Sequence, residues 1–355
     1  MSRVIKILAA LAIIFAGASA VVLRGTDALS AVFRSAQPRD FLSGALAGKV
    51  DRAVFDAVPR SAALNGFAAG LMYRGIRDAG AQVRAGCGDW LYSIEELRED
   101  RQDAERIAAR AELLRYLMRA ALQQNVLLVA VPMPDKAEQV EAELCGLSAD
   151  RSRFRRQHWA QATAGLDLHQ IDLRNGWPRP GYWRTDTHWD NVGARFAAQH
   201  VAAAIDKVLG AGNQDVRLVE GEKRQRPGDL ARLAELSEAP RWLAPAPEYE
   251  DLVKAEIARS GGLLDEVQTP SVILAGSSFS MNSGFAEYLQ TSLRREVAQV
   301  SEVGGGFAGA LLKVLQSPGK LTGVKVVIWE WPMRSLVAPL SDAERQAISK
   351  LKGLS

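Results

Sequence analysis

Beyond residue 120 the chain is punctuated by short apolar runs, two of them unbroken and two carrying polar residues. They are Asn125-Val-Leu-Leu-Val-Ala-Val-Pro132, Ser271-Val-Ile-Leu-Ala-Gly276, Val297–Val303 and Val324-Lys-Val-Val-Ile-Trp-Glu-Trp331. Apolar runs of this length read as strands buried on both faces of a parallel sheet. Between them, apolar residues recur at helical spacing: Leu113, Leu114, Leu117 and Leu122 within 94–123, Ala137–Leu144, Val192 to Ile205, and Phe307–Leu315. Ile171-Asp-Leu173 is a weaker strand, and Gly86-Cys-Gly-Asp-Trp-Leu-Tyr92 is a turn entering a short aromatic strand. Strands alternating with helices predict an α/β fold, a parallel sheet flanked by helices, over 81–340. Residues 25–80 are alanine-rich at helical spacing and predict a helical N-terminal extension that packs on the following domain. The polar, proline-dotted stretch 210–265 predicts an irregular insertion, and 341–355 a C-terminal helix or tail.

The first 24 residues follow different rules. Arg3 and Lys6 precede an uncharged apolar run, Ile7 to Leu23, and Arg24 closes it. This is the layout of a signal peptide or a signal anchor, short for a span of about 20 residues. Ala18-Ser-Ala20 suits cleavage and the continuing run suits retention, so both readings stay open. Either predicts export of the rest of the chain. In an exported chain, two cysteines, Cys87 and Cys145, suggest one disulfide, with two buried thiols as the alternative. The net charge of +3 is mild. The Arg151, Arg153, Arg155, Arg156 cluster is compatible with an anionic ligand, while the absence of nucleic-acid motifs argues against DNA or RNA. The four histidines and two cysteines show no metal-ligand spacing, and no bound cofactor is expected.

Chemistry in open α/β sheets collects at the carboxyl ends of the strands. Those ends carry Pro134-Asp-Lys136, Gly276-Ser-Ser-Phe-Ser280, Gly304-Gly-Gly306 and Trp329-Glu-Trp-Pro-Met-Arg334. A serine at a sharp strand-to-helix turn is exposed, and its own amide can meet a developing oxyanion. It needs a base, and the base an orienting acid. Arg184-Thr-Asp-Thr-His-Trp-Asp-Asn191 offers Asp186 and His188 two residues apart, on one side of an extended segment. Asp190 or Asn191 then caps the next helix. Trp177, Tyr182, Trp183 and Trp189 flank the pair, as sugar-binding faces or as packing.

These motifs together resemble the alginate O-acetyltransferase family (AlgJ/AlgX-like). Asp-Thr-His-Trp189 precedes Gly-Ser-Ser-Phe-Ser280, the Gly304–Phe307 turn and Val327–Arg334; Asp89–Tyr92, Pro134–Lys136 and Gly228-Asp-Leu230 also match. The resemblance implies an SGNH-hydrolase-like domain that acetylates an exopolysaccharide in the periplasm. Carried over by position, Ser278 is the nucleophile, His188 the base and Asp186 the orienting acid. Where ordinary SGNH enzymes offer an oxyanion asparagine, this chain has Trp329-Glu-Trp331, so Gly306, Arg334, Lys136, Trp183, Trp189 and Trp329 stand as oxyanion or substrate-binding candidates. Arg334 has a second reading, a salt bridge to Glu330. The resemblance also implies a membrane-bound O-acyltransferase that supplies acetyl groups, and a polysaccharide secretion complex. A carbohydrate acetylesterase and a non-catalytic polysaccharide-binding subunit are the competing functions.

Overall fold

The computed structural model describes residues 15, 17–19, 22, 23, 25–57, 61–258, 270–317 and 319–352. Most of the expected signal segment therefore lies outside the described residues, and among those described no helix is long and apolar enough to cross a membrane. The chain divides into two compact units, Met1–Asp78 with Glu238–Ala244, and Ala79–Ser237 with Pro245–Ser355.

The first unit is helical, with segments Thr26–Ser35, Pro38–Leu42, Ala45–Ala57 and Ala62–Ile76. Its last helix holds the returning segment: Arg74 donates to the Leu243 carbonyl at 3.0 Å, and Phe67 meets Trp242 edge-on at 6.2 Å.

The second unit begins with a hairpin, β1 (Val83–Ala85) and β2 (Leu91–Ser93). Helix α1 (Asp103–Gln123), strand β3 (Leu127–Met133), helix α2 (Asp150–Ala162), strand β4 (His169–Gln170) and helix α3 (Asn191–Leu209) follow. Next come β5 (Val216–Arg226), β6 (Glu248–Ile257), β7 (Val272–Ala275), α4 (Phe285–Leu293), β8 (Val297–Gln299), α5 (Gly309–Leu315), β9 (Val326–Pro332) and α6 (Asp342–Lys352). Five strands form one parallel sheet in the order β4-β3-β9-β7-β8. Side chains alternate across it, so each central strand feeds two cores. Val129, Val131, Leu274 and Ile328 pack with Ala197, Val201 and Ile205 of α3 and Leu289 of α4. Leu128, Ala130, Ile273, Val327 and Trp329 pack with Leu113, Leu114 and Leu117 of α1, Leu311 of α5 and Ala347 of α6. This two-faced burial is why the strands read as largely apolar runs.

Two expectations are corrected. Ile171–Leu173 is not a strand; β4 lies just before it and has two residues, because only His169 and Gln170 pair with β3, and Ile171 contributes one amide to the Ala130 carbonyl. The expected irregular insertion 210–265 is, in its described part up to residue 258, built on a long antiparallel ribbon: β5 and β6 pair from Val216↔Ile257 to Arg226↔Glu248, with a bulge between Glu220 and Lys223. Charges on its exposed face hid the alternation. Cys87 and Cys145 are bonded, tying the hairpin turn to the segment before α2, where the Cys87 amide donates to the Glu143 carbonyl at 2.7 Å. The arginine cluster is spent internally: Arg151 pairs with Asp103, Arg153 with Asp150, Arg155 with Asp135 and Arg156 with Glu138.

Candidate active site

The loop before α3 doubles back on itself. Tyr182 and Trp189 bridge antiparallel, and the Trp183 amide donates to the His188 carbonyl at 3.2 Å, so Arg184–Thr187 project as a tip. Asp190 then caps α3, accepting from the Gly193 amide at 2.8 Å.

The tip is held on two sides. On one side Lys136, at the carboxyl end of β3, gives its three protons to the carbonyls of Leu91 (2.7 Å), Arg184 (2.9 Å) and Asp186 (2.9 Å). Trp90 and Tyr92 lie 5.1 and 5.2 Å from its ammonium. Burial pushes Lys136 down to about 8, while three carbonyls placed for three protons favour the charged form. On the other side Glu248 of β6 accepts from the Arg184 amide (2.9 Å), the Thr185 amide (2.9 Å) and the Thr185 hydroxyl (2.7 Å).

On this tip, Asp186 and His188 face the same way. Asp186 Oδ1 lies 2.6 Å from His188 Nδ1, and also accepts the His188 amide at 2.9 Å. His188 Nε2 lies 2.8 Å from the Ser278 hydroxyl. This pairing assigns the Nδ1–H tautomer, leaving Nε2 as the acceptor. The second Asp186 oxygen accepts from Arg226 Nε at 3.0 Å and from the Asp229 amide at 3.3 Å. Burial raises the Asp186 carboxyl, but the His188 hydrogen bond and the charges of His188 and Arg226 outweigh it and hold it below the usual carboxylate range.

Arg226 does more than neutralise. Its other nitrogens reach Glu250 at 2.8 Å and Asn282 Oδ1 at 3.1 Å, and Asn282 Nδ2 donates to the Ser278 carbonyl at 2.6 Å. One guanidinium thus spans the acid and the serine turn. Asp229 accepts from the Thr187 amide (2.7 Å) and hydroxyl (2.5 Å). The Gly228 before it must be glycine, since a Cβ there would overlap the Thr185 carbonyl. Asp186, His188 and Asp229 bring three ligand atoms within 4.8 Å of one another, a spacing a cation can use. Asp186 accepts from His188, Arg226 and the Asp229 amide, and each Asp229 oxygen accepts from Thr187, which suits a hydrogen-bonded triad.

Of the three serines in the turn, Ser278 alone meets the histidine. Ser277 donates its hydroxyl to Glu330 at 2.8 Å, and Ser280 bonds the Ser277 carbonyl and the Ser301 hydroxyl. Ser278 is half-buried, whereas both neighbours are buried.

The remaining candidates fall elsewhere. Lys136 is 1% exposed and committed to carbonyls. Trp189 is fully buried and donates to the Phe279 carbonyl at 3.0 Å; Trp183 donates to Ser283 at 3.0 Å and lies under Arg226. Trp177 and Tyr182 are buried as well, so all four aromatics pack the loop. Trp329 points into the far core, donating to the Phe307 carbonyl at 2.9 Å amid Trp159 and Trp331. Gly306 is exposed in the turn after β8, with φ +61°. Arg334 does not pair with Glu330; it lies 3.6 Å from Glu95 and 3.7 Å from Glu96, with its guanidinium 5.3 Å from the Phe279 ring centre. Arg226, Asn282 and Glu248 carry no signal in the sequence, and Glu330 binds the Ser277 turn in place of the expected Arg334. Arg226 stands two residues before the Gly228-Asp-Leu motif, at the end of β5, where the ribbon delivers it.

Sheet order, serine turn and loop-borne histidine define an SGNH-hydrolase-like α/β protein. The family model for the SGNH hydrolase-like domain of the acetyltransferase AlgX matches residues 83–333. The chain belongs to that family and is an acetyltransferase. It is 31% identical over 293 residues to the probable alginate O-acetylase AlgJ of Pseudomonas putida, covering 76% of this chain and 74% of the relative. It is 27% identical over 308 residues to the probable AlgJ of Pseudomonas aeruginosa, covering 80% and 78%. The solved O-acetyltransferase domain of Pseudomonas putida AlgJ superimposes with a TM-score of 0.66 at 26% identity, over 77% of this chain and 99% of that domain. Pseudomonas aeruginosa AlgX shares the fold, with a TM-score of 0.57 at 19% identity over 75% of this chain and 65% of AlgX.

Proposed function

We propose that this chain is a periplasmic O-acetyltransferase of a secreted polysaccharide, alginate by its relatives' names, working through Asp186, His188 and Ser278. The observation that carries the reading is the continuous hydrogen-bond chain Asp186–His188–Ser278, at 2.6 and 2.8 Å, within a member of an acetyltransferase family. Ser278 Oγ attacks the acetyl carbonyl as its proton passes to His188 Nε2. The tetrahedral oxyanion meets the Ser278 amide. Collapse expels the donor's leaving group, which takes the proton from His188, and leaves acetyl-Ser278. A sugar hydroxyl then gives its proton to His188 and attacks the ester; Ser278 leaves and takes the proton back. Asp186 keeps the imidazole in the Nδ1–H tautomer and stabilises the imidazolium. A membrane-bound acyltransferase supplies the acetyl groups, a secretion complex presents the polymer, and the N-terminal apolar segment directs export or tethers the enzyme.

Incubation with 4-nitrophenyl acetate, read by intact-mass spectrometry, tests this. The wild type gains one acetyl mass on Ser278 and passes it to oligoalginate. Equal gain by Ser278→Ala refutes the nucleophile, and release to water alone, with no transfer, makes the enzyme an esterase.

A further inference from the structure

Glu330 sits on β9 near the carboxyl edge of the sheet, beside β7, and is 2% exposed. A carboxylate buried this deeply requires donors. All of its donors come from a single turn. The Ser277 amide donates at 2.8 Å, the Ser277 hydroxyl at 2.8 Å and the Ser280 amide at 3.2 Å. Burial raises the Glu330 carboxyl, and the bonds from Ser277 and Ser280 oppose that rise. The turn is moulded closely on this group: a Cβ at Gly276 would overlap the Ser280 hydroxyl and approach Glu330 Oε2 to 2.9 Å.

The distribution of amides in the turn is informative. Those of Ser277 and Ser280 go to Glu330, and that of Phe279 goes to the Ser277 hydroxyl at 3.1 Å. The Ser278 amide has no acceptor among the described residues. A buried anion behind the turn therefore sorts its donors, taking the amides on either side of the serine and sparing the serine's own.

We propose that Glu330 is a positioning residue for acetyl transfer: it holds the Ser278 turn by the Ser277 and Ser280 amides and so keeps the Ser278 amide free for the acetyl oxygen. This rests on Ser278 being the nucleophile. It also gives a role to the glutamate that stands within Trp329-Glu-Trp331. Glu330 touches no reacting atom; it acts through the backbone of the turn.

Glu330→Gln tests it in the full chain with 4-nitrophenyl acetate. Glutamine keeps the volume; its one oxygen can still accept the Ser277 and Ser280 amides, but the charge is lost and an N–H pair replaces the oxygen that accepts the Ser277 hydroxyl. Turnover per folded molecule, with the folded fraction from circular dichroism, should drop about tenfold or more, short of the roughly 100- to 1000-fold lost when an oxyanion donor is removed outright. KM should stay within about threefold, since the ground-state ester is not what the amide favours. A purely structural role would lower the folded fraction and leave turnover per folded molecule alone; that result overturns the proposal. Should Glu330→Gln not fold, Glu330→Asp decides, because it keeps the charge and withdraws the carboxylate by one methylene from both the Ser277 and Ser280 amides. A drop of about tenfold in kcat at constant KM supports the proposal, and unchanged turnover refutes it. Activity retained by Ser278→Ala would instead sink the nucleophile assignment itself. A dead Ser278→Ala beside an active Glu330→Gln sinks only the role of Glu330.

Discussion

Replacing Lys136 with methionine separates a structural ammonium from a substrate-binding one. Methionine fills nearly the same volume and donates nothing. The substitution strips a donor from the carbonyls of Leu91, Arg184 and Asp186, now served at 2.7, 2.9 and 2.9 Å, and of these the Arg184 carbonyl keeps the Leu91 amide at 2.9 Å. Each carbonyl left without a partner costs about 1–3 kcal/mol, and relief of the buried charge returns part of the sum. With the Leu91 and Asp186 carbonyls losing the ammonium, less that relief, the expected loss is about 2–4 kcal/mol. That is a large share of the 5–15 kcal/mol that holds a typical domain. The Asp186 carbonyl belongs to the orienting acid, so the tip should also shift. A displacement near 1 Å lowers turnover about 100-fold. Urea unfolding at constant m-value and kcat with 4-nitrophenyl acetate measure the two effects. A loss of stability under about 1 kcal/mol, with KM for oligoalginate raised and kcat intact, would refute the structural assignment and return Lys136 to the substrate.

Arg226→Gln removes one charged hydrogen bond to Asp186 and the tie to Asn282; at about 1.5–3 kcal/mol for such a bond, kcat/KM should fall roughly 10- to 100-fold, and an unchanged value would show that the ribbon does not support the triad. Acid should destabilise the fold through Asp186. Because its folded carboxyl titrates lower than the unfolded value near 4, its contribution is present above about pH 4 and is lost as pH falls further. Asp186→Asn should therefore flatten that part of the urea-midpoint profile, and an identical profile would contradict the assignment. Reducing Cys87–Cys145, which closes a sequence separation of 58, should cost roughly 4 kcal/mol on the chain-entropy reckoning, read as a lower urea midpoint with unchanged turnover at zero denaturant.

What the chain determines by itself is whatever local pattern carries. Strands buried on both faces are mostly apolar, so β3, β7 and β9 stand out, Glu330 apart, and with them the carboxyl edge where Ser278 lies. Residues i and i+2 of an extended segment face one way, so Asp186 and His188 were legible as a pair. An even cysteine count suggests a disulfide, with two buried thiols as the alternative, and the structure bonds the pair. Other features depend on partners far off in sequence. Nothing near Glu330 says that its carboxylate will receive the Ser277 turn, 53 residues away. Arg226 reaches Asp186 across 40 residues because an antiparallel ribbon delivers it there, and that ribbon's solvent face is too charged to show a period of two. Trp189 and Trp329 have the composition of sugar-binding faces, and only the packing puts their rings inside. Tertiary structure decided these cases because a polar or aromatic side chain takes its meaning from what it meets, whereas an apolar run takes its meaning from avoiding water.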